Sequence, residues 1–415
     1  ASVQSLSIKA QTVSTLAGSG TLGYIDGTGT AASFNNPWGI YAASNGDVYV
    51  SDTYNNVIRK ITPSGVVTTF AGSGVAGGAD GTGTSASFNG PSGICGDLAG
   101  NLYVADYLGH KIRKITPSGI VTTLAGSGVS GFSNGNGTAT SFSAPYDICI
   151  DSDGNLYVSD AANHRIRKIN PTGDVTTFAG SGTASSQDGS AASATFNNPL
   201  GIGIDGANNI YVCDVGNSKI RKITPTGDVT TLAGSGSQGS NDGAGTSATF
   251  FNNFGMCVDA SGNIYIADSF NNKIRKILPD GTVSTYAGTG TAGTDNGGLS
   301  SATFDRPHNM CIDALGNFYI ADTYNRLIRK ITTSFASIDE NSQNPVFTLA
   351  PNPASSIIML TTEEPIVSIL VYNVLGELML TETTSTFSVA SLPSGVYLIQ
   401  LQTTSGIATQ RFVKN

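Results

Sequence analysis

No run of 18 or more apolar residues occurs in the 415-residue chain, so hydropathy offers no candidate for a membrane-spanning helix. Charge is scarce too: 12% of the residues are Asp, Glu, Lys or Arg, and they sum to a net charge of −8. Nucleic-acid binding needs a broad positive face. Of 21 basic residues, 12 belong to six copies of one Arg-Lys pair, which excludes nucleic acid as a partner. The five cysteines, Cys95, Cys149, Cys213, Cys257 and Cys311, are an odd number, so complete disulfide pairing cannot frame the fold. Histidine is limited to His110, His164 and His308, little material for a metal centre. No P-loop, H-E-x-x-H motif or nucleophile elbow is expected, and no cofactor is implied. The chain begins ASVQSLSIKAQ without an initiator Met, a start that a removed signal peptide or a trimmed chain would each explain.

Glycine is abundant, with 52 residues, alongside many Ser and Thr, a balance that favours short strands and tight turns over helix. The chain is also periodic. Asp52, Asp106, Asp160, Asp214, Asp268 and Asp322 recur every 54 residues without an insertion, and Phe34, Phe88, Phe142, Phe196, Phe250 and Phe304 keep the same step. Such a period, built of short strand-like runs and turns, marks the blades of a β-propeller. In the first period, strands a, b, c and d are expected over 38–43, 47–52, 57–62 and 66–72. The segments SNG and PSG supply the turns, and 73–90 is a long d-to-a connection. The sixth period stops after strand c, while the N-terminal KAQTVSTLAGSG is in phase with SGVVTTFAGSG. An N-terminal strand should therefore complete blade six and remove two exposed sheet edges.

Six copies of a position separate scaffold from site. The repeated Asp should close strand b and accept N–H bonds from the turn that follows, and the repeated Arg (Arg59 and its equivalents) should pair with an acid or carbonyl of a neighbouring blade. The DGTGT-type loops at Asp26, Asp80, Asn134, Asp188, Asp242 and Asn296 offer one carboxylate or amide each, too few for calcium and suited to Asx turns. Cys95, Cys149, Cys257 and Cys311 share one strand-a position and should ring the channel as small packing residues. The first variable position of strand a reads Trp38, Ser92, Tyr146, Leu200, Phe254 and His308, and should surround one channel mouth. The b–c turns add Tyr54, Tyr107, Phe270 and Tyr324, with Asn36, Asn198, Asn252 and Arg306 beside them. Aromatic rings next to amides suit stacking on a sugar or holding a peptide, and they equally suit packing against the d-to-a loops.

The pattern NPWGIYAASNGDVYVSDTYNNVIRKI resembles the NHL repeat family, and the lead-in DGTGTAASFNNP resembles the glycine-rich variant of extracellular propellers. The resemblance covers all six repeats and implies a six-bladed, all-β propeller over 1–333. After a polar linker at 334–345, the runs in 346–415 alternate with turns as in a small Ig-like β-sandwich. There, LAPNPASSIIM, VYNVLGELML, LPSGVYLIQLQT and QRFVKN resemble the type A sorting domain of the type IX secretion system. That resemblance implies the secretion machinery as a partner and a place outside a Bacteroidetes-type cell, secreted or at the outer-membrane surface. The expected role is a non-catalytic module that binds a glycan or protein. The alternatives are a lyase or lactonase with a metal in the channel, and a self-assembling structural surface protein.

Overall fold

A computed structural model describes residues 11–332, 347–373, 378–403 and 407–415; the expected linker at 334–345 lies outside them. In blade one the β-branched and aromatic runs form four antiparallel strands, Pro37–Ala42, Val48–Asp52, Val57–Ile61 and Val66–Ala71, each within a residue of its expected span. Gly46 and Gly65 sit at φ of +87° and +81° in the two hairpin turns, where a side chain would be strained. The glycine that ends the AGSG segment's first half is needed for a second reason. A Cβ on Gly72 would lie 2.6 Å from the Asn56 carbonyl, where the end of strand d passes the start of strand c.

Each inner strand touches the next, and Pro307–Ile312 of blade six touches Pro37–Ala42 of blade one, so the ring closes. The outer strand of blade six is Thr12–Ala17, hydrogen-bonded beside Leu327–Thr332 as the phase of the repeat required. Val13 and Ala17 are buried there, and the Ser14 hydroxyl donates to the Lys330 carbonyl at 3.3 Å. One element was not expected. In five blades a two-residue strand from the long d-to-a connection, such as Gly81–Thr82, adds to the outer edge of the blade that follows it. These pieces are too short and too rich in Gly to show an alternation.

That extra strand explains the repeated charges. It folds the connection back over its own blade, so Arg59 bonds within blade one and not across to a neighbour. One guanidinium nitrogen donates to Asp52 at 2.8 Å and the Ser33 carbonyl at 3.0 Å; the other donates to Asp26 at 2.7 Å and the Ile25 carbonyl at 2.9 Å. Blades three and six use Asn134 and Asn296 in place of the second acid. The DGTGT-type residues are thus arginine acceptors. Asp52 takes its backbone bond from Asn35, ahead of strand a, at 2.7 Å, and the Asn55 side-chain amide at 2.9 Å, so the expected bond from the following turn's backbone is not the one made. All six arginines are fully buried above the repeated Phe rings, with the Arg59 guanidinium carbon 5.1 Å from the Phe34 centroid. Burial of a charge at this depth is tolerable because each arginine is paired with the repeated Asp of its own blade and its two terminal nitrogens also find carbonyls, leaving only the buried Nε without a partner among the described residues.

The C-terminal unit has a core of its own, including Ile358, Leu360, Ile369, Val371, Phe387, Ile399, Leu401 and Phe412. One sheet joins Phe347–Ala350, Ile357–Thr362 and Thr386–Ser388; the other joins Leu378–Glu382, Ile366–Asn373, Gly395–Thr403 and Ile407–Lys414. Among the described residues no helix is long and apolar enough to cross a membrane.

Candidate functional site

Where the chain meets strand a, each blade turns through a left-handed residue. Asn36, Gly90, Ala144, Asn198, Asn252 and Arg306 all lie at φ between +48° and +63°. Asn and Gly reach this region readily, whereas Arg and Ala do not. The b–c turn of the preceding blade pins several of these residues. Asn56 accepts the Gly90 N–H and Asn272 the Arg306 N–H, both at 2.9 Å; His110 and His164 accept from Ala144 and Asn198 through Nδ1, both at 3.1 Å. Two of the three histidines are therefore staples between blades. Burial lowers the pKa of His110, which keeps the accepting lone pair free.

Two residues beyond each kink, side chains gather at the mouth around a cavity of about 340 Å³. Trp38, Tyr146, Leu200, Phe254 and His308 of the expected ring line it. So do the turn residues Tyr54, Tyr107, Phe270 and Tyr324, with Arg306, Asn36 and Asn198. Ser92 does not line the cavity and is 2% exposed; its side chain is short, and Trp38 and Tyr107 meet edge-on at 6.0 Å in that sector. Asn252 is also outside the lining.

The interior of the mouth is a packed set of rings. Trp38 stacks on His308 with centroids 4.7 Å apart, and His308 meets Phe254 at 5.0 Å. The Tyr146 hydroxyl and His308 Nε2 share a 2.6 Å hydrogen bond that spans the ring from blade three to blade six. Burial takes the His308 pKa down to about 3, so the imidazole is neutral. Tyr54, Tyr324 and Phe270 form an open rim, at 56, 48 and 36% exposure. Arg306 is held between two of them, its guanidinium carbon 4.5 Å from the Phe270 centroid and 4.2 Å from that of Tyr324.

One pair at the centre escaped the reading of the sequence. Directly after the ring position, four blades carry Gly39, Gly93, Gly201 and Gly255, while blade three has Asp147 and blade six Asn309. The inner strands crowd the axis here: a Cβ on Gly39 would lie 2.0 Å from the Ser92 carbonyl, and one on Gly93 2.1 Å from Asp147 Oδ1. Asp147 accepts the Ile148 and Ile202 N–H groups at 2.9 and 3.1 Å, and the Asn309 amide donates to it at 3.3 Å across the ring. Burial without a cation raises its pKa to about 7. The signal was available as two polar residues at half-ring spacing among four glycines.

All five cysteines are free thiols, and burial raises the pKa of each. Among the described residues no three His, Cys, Asp or Glu side chains are grouped to hold a metal. The letters GFSNG at 131–135 do fit a nucleophile elbow, contrary to expectation, but Ser133 lies in a d-to-a connection and its hydroxyl pairs with Ser141 at 3.0 Å. The strand-to-helix turn that would expose such a nucleophile is absent there.

Known families and structures fit this architecture. Residues 34–61 and 142–169 match the NHL repeat, and 348–415 match the secretion system C-terminal sorting domain. The chain is thus an NHL-repeat β-propeller carrying a type IX sorting domain, which marks it for export to the outside of a Bacteroidetes-type cell. Protein SUPPRESSOR OF QUENCHING 1, chloroplastic, of Arabidopsis thaliana is 34% identical over 278 residues, 62% of this chain and 26% of that one. The chain spans less than half the length of the curated relatives it matches. A protein of unknown function from Bacteroides thetaiotaomicron aligns at 26% identity and a TM-score of 0.60, over 78% of this chain and 76% of that one. An auxiliary nutrient binding protein from the same species aligns at 18% identity and a TM-score of 0.60, over 77 and 76%. A gluconolactonase from Xanthomonas campestris shares the fold at 14% identity and a TM-score of 0.51, over 78 and 90%, so the fold by itself separates neither binding from catalysis.

Proposed function

We propose that the propeller mouth is a carbohydrate-binding pocket and that the exported chain acts as a binding module without catalysis. The observation that carries this reading is the convergence of blade-specific side chains. Positions shared by all blades build the scaffold, whereas those that differ assemble one aromatic cavity. At about 340 Å³ the cavity admits a sugar ring or two, or one inserted side chain, and not a protein surface. The half-exposed rim rings Tyr54 and Tyr324 can stack on the apolar face of a pyranose, and the amides of Asn36 and Asn198 can take its hydroxyls. A propeller of the same fold that is described as an auxiliary nutrient binding protein is in keeping with a capture role.

Trp38 is the single tryptophan of the chain and lines the cavity, so its emission reports occupancy directly. Titration with a panel of oligosaccharides should shift that emission saturably for at least one of them. The rim substitutions Tyr54→Ala and Tyr324→Ala together should weaken that binding about tenfold or more while leaving the melting temperature within a few degrees. Rim variants that bind as tightly as the unaltered chain, or a panel that never moves Trp38, would overturn the reading.

A further inference from the structure

We propose that the pocket selects an acidic sugar, a pyranose ring bearing a carboxylate, and that Arg306 is the residue that reads its charge. This rests on the reading of the mouth as a carbohydrate pocket and adds the class of sugar. Among the described residues Arg306 is the one charged side chain in the lining, where no Asp or Glu is found and His308 is neutral. Its surroundings differ from those of every scaffold arginine. Arg59 and its five equivalents each find acceptors in carbonyls and in one or two acids, whereas the Arg306 guanidinium has ring faces on two sides and no acceptor among the described residues. A guanidinium whose neighbours are rings and not acceptors has N–H groups to offer a ligand, and its planar fork matches a carboxylate bidentately.

The backbone adds a second, independent argument. Arg306 sits at φ +48°, where the sister blades use Asn at three positions, Gly at one and Ala at one. Local folding at this turn is served at least as well by Asn, so the turn itself does not call for an Arg at this position. With a net charge of −8 the chain gives an anion no long-range attraction, so selection must come from contact inside the pocket.

The test uses the full chain and Trp38 emission, with oligosaccharides of galacturonate and glucuronate, their neutral galactose and glucose counterparts, and O-sulfated neutral sugars. The acidic sugars should bind about tenfold or more tighter than the neutral ones, as a charge-assisted contact does. Arg306→Asn, which installs the residue of three sister blades, should remove that preference while the protein melts no lower than before. Arg306→Lys should keep part of it. Equal affinity for acidic and neutral sugars, an unaltered preference in Arg306→Asn, or tighter binding of sulfated sugars or of an acidic peptide would overturn the proposal. Neutral sugars binding without acidic ones would sink this inference alone and leave the carbohydrate reading standing; silence from all of them would sink both.

Discussion

Replacing Asp147 by Asn should change stability with a sign that depends on pH. The carboxyl lies on the channel axis with three hydrogen-bond donors and no cation. Its titratable neighbours Tyr146, Cys95, Cys149 and Cys213 are all kept protonated by burial. The folded pKa is raised from 3.8 to about 7. A carboxyl raised in this way contributes stability that is fully present below about pH 4 and is lost as pH rises through 7, roughly 4 kcal/mol in all. Asn never ionises and so escapes that loss, but its NH₂ replaces an oxygen that accepts, which removes about 1 kcal/mol at every pH. At pH 4 the variant should be about 1 kcal/mol less stable than the native chain, and at pH 8 about 3 kcal/mol more stable. His308 acts in the other direction: its depressed pKa gives stability that is present above about 6.5 and lost as pH falls toward 3. That contribution is common to both proteins and cancels in the difference. Urea unfolding followed by Trp38 emission reads the propeller alone, because no tryptophan lies in the sorting domain. A difference between the two proteins that stays constant from pH 4 to pH 8 would refute the reasoning.

Removal of one member of a repeated pair should be far more damaging than its single hydrogen bonds suggest. Arg275→Met leaves Asp268 buried and uncompensated, which should lower stability by about 3–5 kcal/mol; a loss under 1 kcal/mol in urea melts would contradict the clamp's structural role. Deleting residues 1–18 removes the outer strand of blade six and bares the edge of Leu327–Thr332. The product should melt at a lower temperature and scatter light on standing, and cooperative melting like that of the full chain would refute the closure argument.

The blade strands were legible to within a residue because the 54-residue ruler gives six independent views of each boundary. The mouth was legible for the same reason, since variation among copies marks positions the scaffold does not fix. Polar partners were harder. The Asp and Arg of each blade were visible as charges, but their acceptors lie in a connection whose two-residue strand carries no periodic signal, and its folding back on its own blade could not be read from Gly81 and Thr82. Ser92 failed to join the lining because a ring position predicts direction and not reach. In the sorting domain, the strand Thr386–Ser388 is too short at three residues to show an alternation in the sequence.

The contacts from Tyr146 to His308 and from Asp147 to Asn309 have a mechanical meaning as well as a chemical one. Both run between blades three and six, so the wheel carries a polar tie-rod along that diameter. Both contacts lie across the axis directly beneath the mouth, so the floor of the pocket is made by the same two blades that the brace joins. The brace should also divide the ring's slow breathing unevenly, with blades three and six opening last.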